Sequence, residues 1–274
     1  MGEKWNIRIW GTRGSLPMTG RDYLEYGGNT SCISVDCKDE LIVFDAGSGL
    51  MNLAKELIPQ EKPRPPRLFF SHSHIDHMIG LMGFSPFYRK EWEIHLYGEA
   101  REGLSFRRQI ESLAGPPYWP MGLDDLQAKI HIHEIKPKDT LMAGPDIAVK
   151  TMRGSHPGNV LLYSLEGQGK KVVYSLDCEP DEEMLRQMAD FSKGADIIFW
   201  DAQYTPLELK DKAGWGHSSW KQGLRLRQMA QADKIVMAHY SWEYTDEILK
   251  AQEEEALKEE PSCCFGREGM EFHI

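Results

Sequence analysis

The sequence feature that most constrains this chain is the run Ser71-His72-Ser73-His74-Ile75-Asp76-His77, which directly follows a short apolar stretch typical of a β-strand. Four side chains that can bind metal therefore fall within six residues. In an extended segment His72 and His74 point the same way, because side chains alternate between two faces. Asp76 and His77 lie across the turn that opens the next helix, so they can face a second ion. The pattern predicts a dinuclear metal site.

Polar side chains also follow several later predicted strands. Loops that carry functional residues gather at one edge of such sheets, so we expect a single active cleft there. For the first of these residues, Asp45, we favour a role in orienting loop backbone or a histidine over direct metal binding. The strand-end residues are Asp45, His72, His156, Asp177, Asp201 and His239.

Length and composition favour one α/β domain over residues 1–274. Hydrophobic residues make up 41% of the chain and charged residues 27%, which is ordinary for a globular protein with a sizeable core. The chain starts without an apolar signal region, and no stretch approaches membrane-spanning length. Its five cysteines lack CxxC spacing, which argues against a disulfide framework and a zinc knuckle. We expect a cytoplasmic protein with reduced thiols.

The charge balance limits the class of partner. The formal net charge is −10, from 32 basic and 42 acidic residues. Nucleic acid and anionic membranes attract basic surfaces, so neither is the expected partner. A small anionic substrate remains compatible with this charge, because bound metal ions can reverse the local field.

Two further segments leave alternatives open. Residues 100–113 have the pattern of an amphipathic helix, and the aromatic, proline-rich loop at 115–121 either covers a site or packs on the body, so the segment 101–125 can act as a lid or as scaffold. In the predicted strand 130–135, His131 and His133 share a face. A metal site is one interpretation, but we favour a solvent face, because nothing nearby in the sequence supplies further ligands.

The order of these motifs resembles the HxHxDH…H…D…H signature of the metallo-β-lactamase superfamily, and the match runs over nearly the whole chain. The resemblance implies a four-layer αββα sandwich. It also implies two divalent ions, Zn²⁺ or Mn²⁺, which imidazole and carboxylate ligands suit. By this resemblance the first ion is held by His72, His74 and His156, the second by Asp76, His77 and His239, and both by Asp177.

A second element resembles the ribonuclease Z-like branch of that superfamily. Gly216-His217-Ser218-Ser219 is similar to that branch's Gly-His-Ser-Thr loop, and the element around Asp201 is similar to the one that precedes it. The openings of the chain look like those of bacterial enzymes related to phosphoribosyl 1,2-cyclic phosphate phosphodiesterase. We expect His217 to be the general acid and Asp201 to hold its imidazole, and we count Asp76 with this catalytic set. The alternative is that His217 is a helix N-terminal residue without chemistry.

Departures from that branch weigh against tRNA processing. After His239, Glu243 stands where the relatives carry a cation, and Leu162-Tyr163-Ser164 lacks their arginine. The chain also lacks a long basic Gly/Pro-rich arm. We therefore predict a phosphodiesterase for a small cyclic or nucleotide diester, in which two ions activate a bridging water for in-line attack. The alternatives are an RNA-processing nuclease of the ribonuclease Z type and a non-catalytic metal-binding regulator. A homodimer is expected by analogy alone.

Overall fold

Two seven-stranded sheets form the centre of the molecule, shown here in a computed structural model that describes residues 4–37, 39–60 and 63–274. The first sheet has the order β14-β1-β2-β3-β4-β5-β6 and the second β13-β12-β11-β10-β9-β8-β7. The first sheet contains β1 (Asn6–Gly11), β2 (Cys32–Cys37), β3 (Glu40–Phe44), β4 (Pro66–Phe69), β5 (Glu93–Gly98), β6 (Lys129–Glu134) and β14 (Glu271–His273). The second contains β7 (Thr140–Gly144), β8 (Ile147–Gly154), β9 (Val160–Gly167), β10 (Lys170–Ser175), β11 (Ile197–Asp201), β12 (Lys234–Ala238) and β13 (Cys263–Phe265).

In the described part of the chain, five α-helices cover the outer faces of the two sheets. They are α1 (Leu50–Leu57), α2 (Phe106–Leu113), α3 (Glu182–Phe191), α4 (Trp220–Ala230) and α5 (Asp246–Glu259). The first two helices pack on the first sheet through residues such as Leu53 and Ile110. The other three pack on the second sheet through Leu185, Leu226 and Leu249. A fully buried leucine contributes about 1.5–3 kcal/mol, so these contacts fix the helices to the sheets. The predicted four-layer αββα sandwich is confirmed.

Strand direction places the candidate site. Strands β3 to β6 run parallel in the first sheet, and β10 to β13 run parallel in the second. An apolar core fills the space between the sheets, with Phe44 stacked on Tyr163 and Tyr174 at centroid distances of 5.6 and 5.2 Å. The loops after β3, β4, β8, β10 and β12 carry polar residues that the sequence singled out, and Asp201 is the last residue of β11. Within the described ranges, no helix has the length and apolar character to cross a membrane.

Two local predictions were wrong in detail. The helix expected over 100–113 begins only at Phe106, because Arg101 and Leu104 close a tight turn and Ser105 then caps the helix by accepting a hydrogen bond from the Arg108 amide at 3.2 Å. The end of the histidine-rich run forms a short 3₁₀ segment, Ile75–His77, rather than the start of an α-helix.

Candidate metal centre

Three residues of the site adopt backbone angles that non-glycine residues rarely accept. The φ angles of Asp45, Asp177 and His239 are 58°, 53° and 60°. Such conformations cost about 1–3 kcal/mol each and persist only where the surroundings impose them. Each of the three follows a parallel strand by one or two residues, and hydrogen bonds hold the loops, as between the Asp45 amide and the Phe69 carbonyl at 2.9 Å. These backbone angles direct Asp177 and His239 into the cleft and Asp45 towards the back of His77.

Three imidazoles converge to form the first half of the site. His74 Nδ1 lies 2.8 Å from His72 Nε2 and 3.1 Å from His156 Nε2. Removal from water lowers the pKa of all three rings, to about 4 for His74 and well below the ordinary value for His72. All three are therefore neutral at pH 7. Neutral rings are the form that binds metal ions.

The second half of the site is fully buried and mixes imidazole with carboxylate. His77 Nε2 and His239 Nε2 lie 3.2 Å apart, and Asp76 Oδ2 is 3.2 Å from each. The backbone amide of Ser15 donates to the same Asp76 oxygen at 2.7 Å and so fixes the carboxylate. Burial favours the neutral form of His77, but Asp177, Asp76 and Asp45 together raise its pKa well above the ordinary value.

Asp177 lies between the two halves, and each of its oxygens faces a different one. Oδ1 is 3.2 Å from His77 Nε2 and 3.0 Å from His239 Nε2. Oδ2 is 3.7 Å from His72 Nε2 and 3.9 Å from His156 Nε2. This is the placement expected of a carboxylate that contacts two ions.

The residues present fit a pair of divalent ions. Asp177 Oδ1 is buried and has no hydrogen-bond partner among the described residues, although two imidazole nitrogens are close. Two ligand atoms on one tetrahedral ion at about 2.1 Å are roughly 3.4 Å apart, which matches the spacing in both halves. The predicted ligands His72, His74 and His156 form one group, and Asp76, His77, Asp177 and His239 form the other.

Asp45 holds this centre from behind. Its Oδ1 accepts a hydrogen bond from the Ser71 amide at 2.7 Å. Its Oδ2 lies 2.6 Å from His77 Nδ1 and accepts from the Tyr174 hydroxyl at 2.6 Å. A carboxylate on the far nitrogen orients the ring and leaves Nε2 directed at the cleft. The geometry agrees with the orienting role expected of Asp45.

His217 and Asp201 form a pair beside the two groups of ligands. His217 Nδ1 lies 2.9 Å from Asp201 Oδ2, and the His217 ring stacks on His239 at 5.2 Å. Burial opposes the charged ring, but the Asp201 carboxylate outweighs it and raises the pKa of His217 to about 9. Helix α4 begins at Trp220 and its cap is Ser219, so His217 lies outside the helix. The imidazole therefore does not cap the helix.

Sequence reasoning missed Glu179, which anchors the His217 loop. Its carboxylate accepts hydrogen bonds from the Gly214 amide and the Gly216 amide at 2.8 Å each. Gly216 has a φ of 87°, and a Cβ there would lie 2.2 Å from His156 Nδ1, so only glycine fits. The Gly216 carbonyl in turn lies 2.8 Å from His156 Nδ1. Glu179 thus ties the His217 loop to the first group of predicted ligands, through backbone contacts that leave no sequence signal.

Arg101 was also missed, and it ties together two ligand loops. Its guanidinium donates to the Ser71 carbonyl at 2.9 Å, directly before His72. It also donates to the Gly158 carbonyl at 2.8 Å and to the Asn159 carbonyl, shortly after His156. The partners are again main-chain groups that only the folded chain brings together.

The segment 101–125 packs on the body, which is one of the two alternatives that the sequence left open. Phe106 and Ile110 are buried against the first sheet, so the segment is part of the body. It also forms a wall of an open groove of about 380 Å³ that reaches Ser73 and Ile75, between the metal ligands. The lining residues are Ser73, Ile75, Leu104, Gln109, Ser112, Leu113 and Tyr118.

A match to a family model shows which protein family the chain belongs to. The family model of the β-lactamase superfamily domain matches residues 41–240. The chain belongs to the metallo-β-lactamase superfamily. This membership, together with the clustered His and Asp ligands, identifies the protein as a metal-dependent hydrolase.

Several known proteins resemble the chain over nearly its whole length. A ribonuclease Z of Thermoplasma acidophilum is 23% identical over 98% of this chain and 97% of its own. The metallo-β-lactamase fold protein YhfI from Bacillus subtilis superposes with a TM-score of 0.75 at 18% identity, covering 99% of this chain and 100% of its own. The short form of human tRNase Z gives 0.72 at 18% identity, covering 97% and 98%. A diphosphatase from the PhnP family gives 0.68 at 16% identity, covering 98% and 97%. At these identities the structures establish the fold alone.

Proposed function

We propose that this hydrolase is a phosphodiesterase that acts on a small cyclic or nucleotide phosphodiester. The observation that carries the proposal is the His217–Asp201 pair, with 2.9 Å between Nδ1 and Oδ2, next to two groups of metal ligands. Cleavage of an alkyl phosphodiester expels an alkoxide, which needs a proton. Metal binding alone does not call for a proton donor, so the pair favours an enzyme over a metal-binding regulator.

Two ions would be held by the residues already described, and Zn²⁺ and Mn²⁺ both suit a set of imidazole and carboxylate ligands without sulfur. When bound, such ions supply Lewis-acid polarisation of the phosphoryl group and activation of the attacking water. Asp45, through His77, and the Ser15 amide, through Asp76, keep the ligands aimed without rearrangement. A prepared set of charges at the reacting centre is a large source of rate enhancement.

The chain's own proton chemistry centres on His217. The Asp201 carboxylate accepts a hydrogen bond from His217 Nδ1–H. This contact fixes the orientation of the ring and leaves Nε2–H as the free donor. As the bond from phosphorus to the leaving oxygen breaks, the Nε2 proton passes to that oxygen and the ring becomes neutral. Water supplies the new oxygen on phosphorus, and its released proton restores the imidazolium.

Charge and shape favour a small diester over a polymer. The net charge of −10 opposes the approach of a polyanion, because nucleic-acid binding relies on neutralising several phosphates with basic residues. The groove beside Ser73 and Ile75 is lined by apolar and uncharged polar side chains. Such a lining suits an organic substituent rather than a row of phosphates.

RNA processing of the ribonuclease Z type is the second candidate. It is favoured by the relatives that carry this name, among them the Thermoplasma acidophilum protein, which matches along nearly the whole chain. The same ligands and the same His217–Asp201 pair would serve that reaction, so the substrate panel must separate the two.

The deciding experiment is hydrolysis by the purified protein loaded with Zn²⁺ or Mn²⁺. The panel contains bis(p-nitrophenyl) phosphate, 2′,3′- and 3′,5′-cyclic nucleotides, ribose 1,2-cyclic phosphate, an unstructured RNA, a tRNA precursor and a thioester. Turnover of a cyclic diester with both RNAs intact supports the proposal. Cleavage of either RNA alone establishes the second candidate, and turnover of the thioester alone rejects both.

A further inference from the structure

A second group of histidines lies outside the metal centre. Nine of the ten histidines fall into two groups. The smaller group consists of His95, His131 and His133, and none of these belongs to the centre described above. They lie on β5 and β6, whose parallel pairing sets His95 opposite His131 and Tyr97 opposite His133. This is the surface that the sequence alone assigned to solvent. The neighbouring strand β5 adds Glu93 and His95, whose side chains offer further ligand atoms.

The donor atoms of this group are close together. Glu93, His95 and His131 each offer one ligand atom, and these atoms lie within 4.8 Å of one another. Glu93 Oε1 is 2.7 Å from His131 Nε2. His95 Nδ1 is 3.0 Å from His133 Nε2, and the His95 and His131 rings stack at 4.6 Å.

Two of the three imidazoles, those of His95 and His133, have lowered pKa values. Partial burial, with the nearby Arg67 and His131, lowers the pKa of His95 to about 4. The same causes lower the pKa of His133. Two neutral rings 3.0 Å apart share one hydrogen bond. If His95 Nδ1–H donates it, His95 Nε2 keeps a free lone pair, which is the usual arrangement of a metal-binding histidine.

The charges around the group leave the carboxylate available. Arg67 is engaged with Glu40 at 3.0 Å and with the Tyr97 hydroxyl at 3.1 Å. Lys129 is the competitor for Glu93, at 3.0 Å, but its side chain is 67% exposed. Exposed ion pairs of this kind contribute little to stability, so a cation of higher charge can displace the lysine.

We propose that Glu93, His95 and His131 bind one divalent transition-metal ion of the Zn²⁺, Ni²⁺ or Cu²⁺ class, with His133 holding His95 in the required tautomer. Imidazole with one carboxylate is a ligand set for these ions. The rings of His95 and His131 are within 11° of parallel, so both cannot point at one ion as they stand. The His131 and Glu93 side chains are 32% and 40% exposed, so solvent rather than core surrounds part of each, and binding would turn the stacked rings towards each other.

The test measures the number of zinc ions bound per 274-residue chain. Wild type, the double variant His95→Gln/His131→Gln and the control His273→Gln are dialysed to equilibrium against micromolar free Zn²⁺, and bound zinc is measured by mass spectrometry. His273 is an exposed histidine on β14, outside both groups. The expected result is one fewer zinc per chain in the double variant than in wild type, with the control unchanged. Circular dichroism checks that all three fold alike.

The outcomes separate this site from the dinuclear centre. If the dinuclear centre fails to load, all proteins lose those ions together, but wild type and double variant still differ by one. Equal zinc in wild type and double variant overturns the proposal, as does an equal loss in the His273→Gln control. Should the double variant not fold, His131→Gln alone is expected to weaken the additional zinc at least about 10-fold, and unchanged affinity there overturns the proposal equally.

Discussion

Among single residues, Asp177 gives a direct test of the metal centre, because its two oxygens face different groups of imidazoles. We expect Asp177→Ala to lose at least one of the two ions, since neither group keeps its shared carboxylate. Metal analysis of the purified variant measures this directly. Asp190→Ala, which removes an exposed carboxylate on α3, is the matched control. Full occupancy of both sites in Asp177→Ala would contradict the assignment.

His217 can be tested through the leaving group. We expect His217→Ala to lower turnover of alkyl phosphodiesters by about 10²–10⁴-fold, the usual contribution of a general acid. The loss on bis(p-nitrophenyl) phosphate should be much smaller, because nitrophenolate leaves without a proton. Initial rates on both substrates give the ratio. Equal losses would mean that His217 supports the fold of the cleft instead of donating a proton.

How far single residues can be predicted depends on what they contact. The residues His72 to His77 were found because their ligands are contiguous and their chemistry is in the side chains themselves. Asp201 and His217 followed from the resemblance, and the structure places them 2.9 Å apart. Glu179 and Arg101 were missed because they bind main-chain groups, which no side-chain pattern in the sequence marks.

At the scale of elements, Arg101 makes a test of how the ligand loops are held. We expect Arg101→Met to weaken the first ion about 10–100-fold, because the loops before His72 and after His156 lose their common donor. Arg101→Lys should restore little of this, since an ammonium cannot span both loops as the planar guanidinium does. Zinc titration measures the affinity.

Arg108→Met is the control for Arg101, because it removes an exposed arginine from α2. A loss of affinity in Arg108→Met equal to that in Arg101→Met would show that the effect is one of general charge. Unchanged zinc affinity in Arg101→Met would show that Arg101 does not hold the two ligand loops in place.

The arrangement of elements was predicted less completely than their existence. Alternation and apolar runs located most strands, because burial imposes those patterns directly. A helix was predicted over residues 101–104, but these residues form a local turn, which the apolar pattern did not indicate. The register that sets His95 opposite His131 is a property of strand pairing, so the sequence showed three histidines without showing that they meet.

At the scale of the molecule, the proposal that residues 1–274 form one domain predicts one cooperative unfolding transition. Two probes, tryptophan fluorescence and circular dichroism, should report the same midpoint in denaturant. Zinc should raise the free energy of unfolding, by about 2.7 kcal/mol when free zinc is a hundredfold above its dissociation constant. Two separate transitions, or a midpoint that ignores zinc, would contradict the prediction.

Both sheets contribute residues to the metal centre, four from the loop after β4 and three from loops of the second sheet. His72 and His77 follow the first sheet, whereas His156 and Asp177 follow the second. Bound ions would therefore join the layers across the core, and chains without ions would open and be degraded more readily. A cell starved of zinc or manganese should then hold less of this protein, and its abundance would follow the metal supply even where its synthesis does not change.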